Sequence, residues 1–116
     1  MSRSQVHALS ANSFQLAACL DEYEMSVAKL VKRPQDADLY RQVSHLIDQM
    51  RSYSASMPPV AVLWVELLIR HFEFIQATAL HPGALESSPR TRELYAQLRA
   101  AVSGLSAVCM QHMTRH

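Results

Sequence analysis

Apolar residues in the first third of the chain fall at Val6, Leu9, Leu16, Leu20, Tyr23, Val27 and Leu30. The steps alternate between three and four, with Ser13 filling the one gap. An α-helix returns to the same face on those steps, so the spacing predicts one long helix over residues 4–33, about 45 Å if straight. Pro34 closes it, because the residue before a proline is pushed out of the helical region.

A second stripe, Leu39, Val43, Leu46, Met50 and Tyr53, predicts a helix over residues 36–56 with Asp36 as its N-cap. Pro58 and Pro59 stop that helix, and Pro59 can open the third, over residues 59–80, where a missing N–H costs nothing. This third segment is apolar around most of its circumference, from Val60 through Trp64, Leu68 and Phe72 to Ile75. Only Glu66, Arg70 and Glu73 form a polar strip, at spacings that let the arginine pair with both acids. His81-Pro82-Gly83 breaks the chain again. Ser88 and Pro89 then open a fourth helix, over residues 89–113, with the stripe Tyr95, Leu98, Val102, Leu105 and Cys109.

Four amphipathic helices on short links predict an all-α fold, an antiparallel up-down-up-down four-helix bundle forming one domain over residues 1–116. The expected interior includes Leu16, Leu20, Leu46, Met50, Leu68, Phe72, Leu98 and Leu105, with Glu66, Arg70 and Glu73 outside. No alternating β-branched run bounded by turn residues argues for a strand. Composition agrees, since 116 residues contain only two glycines.

Charge narrows the choice of partner. The formal net charge is +1, with eleven Lys and Arg scattered among ten acids, so no basic face for nucleic acid is expected. Lys29, Lys32 and Arg33 sit where the first helix ends and suit its negative dipole end. The most apolar run, residues 60–69, is too short to cross a bilayer and contains Glu66, so no membrane association is expected. The start of the chain lacks a signal-peptide core. Cys19 and Cys109 lie outside any Cys-x-x-Cys pattern, which suits reduced thiols in a cytoplasmic protein. Nine arginines against two lysines suit a bacterial source.

Six histidines invite a search for chemistry. A di-metal bundle needs Glu-x-x-His pairs, and none is present; Gln42 stands three before His45, where a carboxylate would be required. In size and bundle class the chain is similar to histidine phosphotransfer domains, and His45 falls on the outer face of the second helix. That family's exposed histidine is followed by Lys three residues on and Gly four residues on; here Asp48 and Gln49 stand in those places, and Phe74 and Ile75 follow His71. The six histidines therefore read as surface residues. His7 and His112 share one end of such a bundle and, with His116, could hold an adventitious ion. No phosphate-cradling glycine loop or nucleophile elbow is present. The chain is expected to be non-enzymatic, with no catalytic residue, cofactor or dedicated metal site.

Two features exceed what a monomeric bundle needs. The first helix carries a second stripe, Ala11, Phe14, Ala18, Met25 and Ala28, turned away from its core stripe; these five are the candidate interface. The third helix is apolar enough to be central to the bundle or covered by another chain. Gly104, within a run of small residues on the fourth helix, marks a place where a helix or ligand could approach. The expected function is a protein-interaction module, such as a small bacterial adaptor, chaperone, immunity or regulatory protein, working as a homodimer or with a partner protein. The alternative is a small-molecule-binding bundle in which Trp64, Phe72 and Met50 line an apolar pocket.

Overall fold

The computed structural model describes residues 3–81, 85 and 88–114; Pro82 and Gly83 of the third breaker and His116 of the histidine group lie outside them. Among the described residues four α-helices make up the fold: α1 (Arg3–Lys32), α2 (Ala37–Ala55), α3 (Ala61–Leu80) and α4 (Pro89–Thr114). No strand occurs among the described residues, and the helices pack as an antiparallel four-helix bundle.

Local chemistry sets the helix ends. Asp36 caps α2: its Oδ1 accepts from the backbone N–H groups of Asp38, at 3.0 Å, and Leu39, at 3.3 Å. Ser88 does the same for α4, its Oγ accepting from Thr91 N–H at 3.3 Å. Lys29 and Lys32 lie in the last turn of α1, where cations favour the helix dipole. Pro58 and Pro59 open a one-turn 3-10 helix (Pro58–Val60) ahead of α3, rather than the α-helix itself. That tight turn buries Met57 and Val60 completely, so it plugs one end of the core.

Polar bonds fix the antiparallel order. Asn12 Nδ2 donates to Ser56 Oγ at 2.9 Å, tying α1 near its start to the end of α2. At the opposite end, Tyr40 OH donates to the Pro34 carbonyl at 2.9 Å and reaches Thr78 Oγ1, near the end of α3, at 3.5 Å. The thirty residues of α1 set the long dimension of the molecule, which measures 51 × 25 × 18 Å. α1 packs along both α2 and α4, and α4 along α3, whereas α2 and α3 touch only sparingly.

The interior is one continuous cluster drawn from all four helices, with Leu16, Leu20, Leu46, Met50, Leu67, Leu98 and Leu105 essentially without solvent exposure. Ser13, the break in the apolar stripe, is buried as well. Its hydroxyl donates to the Leu9 carbonyl at 2.7 Å, so the helix itself satisfies it.

The rotation of α3 departs from expectation. Its buried face is Trp64, Leu67, His71, Phe74 and Thr78. Phe72, expected inside, is exposed, and Leu68 is only half-buried. Pairing Leu68 with Phe72 treats His71 as a surface residue; burying His71 turns the helix by about one residue, or 100°. Neither α1 nor α3 is a central helix covered all round, because each keeps an apolar stripe in solvent.

This phase sets two substitutions apart. Leu67→Ala should lower the unfolding free energy by about 2–5 kcal/mol, because it empties a fully buried site. Phe72→Ala should cost under about 1 kcal/mol. Urea unfolding of the two variants measures the difference, and a larger loss for Phe72→Ala than for Leu67→Ala would mean that α3 is rotated as the sequence first implied.

Candidate docking surfaces

Side chains on α3 divide into two opposed faces. The buried set steps by three and four from Trp64 to Thr78. On the far side, Val62, Val65, Ile69 and Phe72 step by three, four and three, and are 82, 52, 50 and 56% exposed. Leu80 is exposed about two turns beyond the stripe's end. One flank of the stripe is the polar strip. Arg70 Nε donates to Glu66 Oε1 and its Nη1 to Glu73 Oε1, both at 3.0 Å, and Nη1 also reaches Gln97 Oε1 on α4 at 3.1 Å. The arginine is thus fully engaged, and the strip closes the α3–α4 seam. A shallow open depression runs beside Val62, Val65 and Ile69, edged by Ala61 and Glu66.

The structure places all five candidate residues of α1, Ala11, Phe14, Ala18, Met25 and Ala28, on the solvent side. Phe14 is 59% and Met25 62% exposed. Eleven residues separate these two large side chains, about 16 Å along the helix, and exposed Asp21 and Glu22 lie between them. A second open depression adjoins Phe14, edged by His7, Ser10, Ala11 and Gln15. The small side chains of α1 leave it a thinner stripe than that of α3.

Cover of α3 by another chain is one of the two sequence expectations for this helix, but the residues of its outward stripe are not legible there, because Phe72 is assigned to the core. The signal was the position of His71 within the Trp64–Leu67–Phe74 spacing. His71 is buried, against the expectation of six surface histidines, and its Nδ1 shares a 2.8 Å hydrogen bond with Tyr23 OH of α1. Burial pushes the His71 pKa down to about 4 and raises that of Tyr23 well above its usual value, so both rings are neutral near neutral pH. Phe74 of the same buried face stacks on Tyr95 of α4, ring centroids 5.1 Å apart.

Other candidate chemistry stays dispersed. His45 faces solvent on α2, with Asp48 one turn on bonded to Arg51 at 3.5 Å. Burial pushes the Cys109 thiol up to about 11, and burial followed by the nearby Glu22 charge raises that of Cys19; both favour the unreactive thiol form. Trp64, Phe72 and Met50 do not line a common pocket: Met50 and Trp64 pack in the core, and Phe72 points away from it. Among the described residues no three His, Cys, Asp or Glu side chains converge as a metal site; His7 is exposed and His112 half-buried. A Cβ placed on Gly104 would meet nothing within 4 Å, so no other helix of this chain approaches there. No described helix is long and apolar enough to cross a membrane.

Comparison with protein-family models, curated proteins and solved structures finds no significant match.

The buried Tyr23–His71 pair makes stability depend on pH. The His71 pKa is about 4 in the fold, against about 6.5 when unfolded, so between those values the unfolded chain binds more protons. The contribution of His71 is complete above pH 6.5, falls as the pH drops, and levels off below 4. The loss amounts to roughly 3 kcal/mol. Chemical unfolding at pH 7 and pH 4 should show that extra loss in the wild type relative to His71→Gln, which keeps a hydrogen-bonding group but does not titrate. Equal losses would place His71 in a solvated site.

Proposed function

We propose that the chain is a non-enzymatic protein-interaction module that works as a homodimer or on a partner protein, and that the outward stripe of α3 is its main docking face. One observation carries this reading: four apolar side chains, Val62, Val65, Ile69 and Phe72, point into solvent from a helix whose other face already completes the core. Together they leave on the order of 400–500 Å² of contiguous apolar surface in water, as large as the biggest patch on an ordinary monomer. The α1 stripe of Ala11, Phe14, Ala18, Met25 and Ala28 is the second docking face in this reading.

The chemistry of the stripe favours protein over other occupants. Nucleic acid needs unengaged cations, and Arg70, the cation beside the stripe, is held by Glu66 and Glu73. A helix that lies on a membrane carries lysine and arginine along its apolar face, whereas this one is flanked by two acids. Two unpaired thiols, one buried, suit a reducing bacterial cytoplasm. Small adaptors, chaperones, immunity proteins and regulators share this form.

The test is native mass spectrometry of the protein purified from its own host, as wild type, as Ile69→Glu/Phe72→Glu and as Phe14→Glu/Met25→Glu. All four sites are exposed, so both variants should keep the wild-type helical spectrum. The wild type should exceed its monomer mass of 13.1 kDa through an added protein chain, which the α3 variant loses. A wild type that carries only a small molecule, or two variants that both assemble like the wild type, would defeat the reading.

A further inference from the structure

The spacing and sizes of the exposed α3 residues identify what covers them, given that α3 is a docking face as argued above. Val62, Val65, Ile69 and Phe72 follow the three-four steps of a coiled-coil seam, and Gln76 and Ala79, both exposed, continue the same steps. A surface with that period fits another helix rather than a strand or a loop. The seam is small-sided at its start, with Val62 and Val65, and large-sided further on, with Phe72.

We infer that the occupant is a second copy of α3, paired antiparallel across a two-fold axis at Ile69. In that register Phe72 of each copy lies against Val65 of the other, and the two Ile69 side chains meet at the axis. Every layer then sets a large side chain beside a small one or matches like with like in the middle, which is what a surface complementary to itself requires. A parallel pairing would instead stack Phe72 on Phe72 and leave Val62 opposite Val62.

Area supports the same occupant. A stable pair needs about 800 Å² from each partner. The four seam residues supply roughly half of that, and the exposed Ala61, Glu66 and Leu80 lie where they would form the rim. With a net charge of +1 and with Arg70 already neutralised, the surface carries no strong field that would select an oppositely charged partner over a copy of itself.

Recombinant full-length protein tests this pairing with no other chain present. Sedimentation equilibrium should show a dimer. Ile69→Glu sets two carboxylates against each other at the axis and should weaken the dimer on the order of a hundredfold or more, with an unchanged helical spectrum. A short bis-maleimide should join Ile69→Cys protein into covalent dimers and leave Val62→Cys protein monomeric, because antiparallel copies hold their two Val62 sites about 21 Å apart along the axis. The wild type, which retains Cys19 and Cys109, controls for native thiols. Equal crosslinking at both positions would replace the antiparallel register with a parallel one. A dimer that Ile69→Glu does not weaken would move the interface off α3. A wild-type monomer would overturn self-pairing, while the docking reading would stand if host-purified protein still carried another chain that Ile69→Glu/Phe72→Glu loses.

Discussion

A single buried hydrogen bond, between Tyr23 OH and His71 Nδ1, governs how α3 sits in this bundle. Burying an imidazole without a partner costs desolvation that nothing repays, so His71 can enter the core only where the Tyr23 phenol meets it. Once it does, the phase of α3 is decided. Trp64, Leu67 and Phe74 share its face and are buried with it. Phe72, one residue on, turns about 100° away and takes Val65, Ile69 and Val62 into solvent. The interior and the exposed seam are two results of one rotation.

The alternative rotation would bury Leu68 and Phe72 and expose His71. On area alone it is attractive, since fully burying a phenylalanine is worth about 1.5–3 kcal/mol. It fails because Tyr23 lies in the middle of the long α1 core stripe, fully buried, and would be left with a hydroxyl and no partner. A matched polar pair is tolerated; half of one is not. The apolar surface that this fold leaves outside is therefore tied to the polar group it takes inside.

Much of this architecture was legible in the residue spacing. Pro34, Pro58 and Pro59 stop helices wherever they occur, because ring geometry forbids continuation whatever the tertiary context. The stripes on α1, α2 and α4 were likewise unambiguous, since each has only one apolar face of full width. For α3 the spacing could not decide. Val62, Val65, Ile69 and Phe72 repeat with the same steps as Trp64, Leu67, His71 and Phe74, and hydrophobicity alone prefers the set without a histidine. The missing information was the complementarity between Tyr23 and His71, forty-eight residues apart in sequence and invisible to any local pattern. The α1 candidates were easier to place, because a stripe of alanines around Phe14 and Met25 cannot compete with one of leucines for the core.

The positions of the two exposed stripes constrain what assembly is open to the molecule. Each lies on the side of its helix turned away from the core. α1 and α3 are not neighbours in the bundle, since α4 packs between them on one side and α2 lies on the other. The stripes therefore look in different directions, and one two-fold axis cannot cover both. If α3 met α1 of the next molecule, the contact would be head-to-tail and would leave an unfilled stripe at each end, which leads to rings or open chains. Pairing like with like closes at two copies. The α3 stripe, with four apolar side chains in unbroken succession, has the apolar density for that closure. The α1 stripe, with two large side chains about 16 Å apart and acids between them, does not. A dimer closed through α3 would thus present two copies of the thinner α1 face outward, each suited to a smaller and more readily reversible contact.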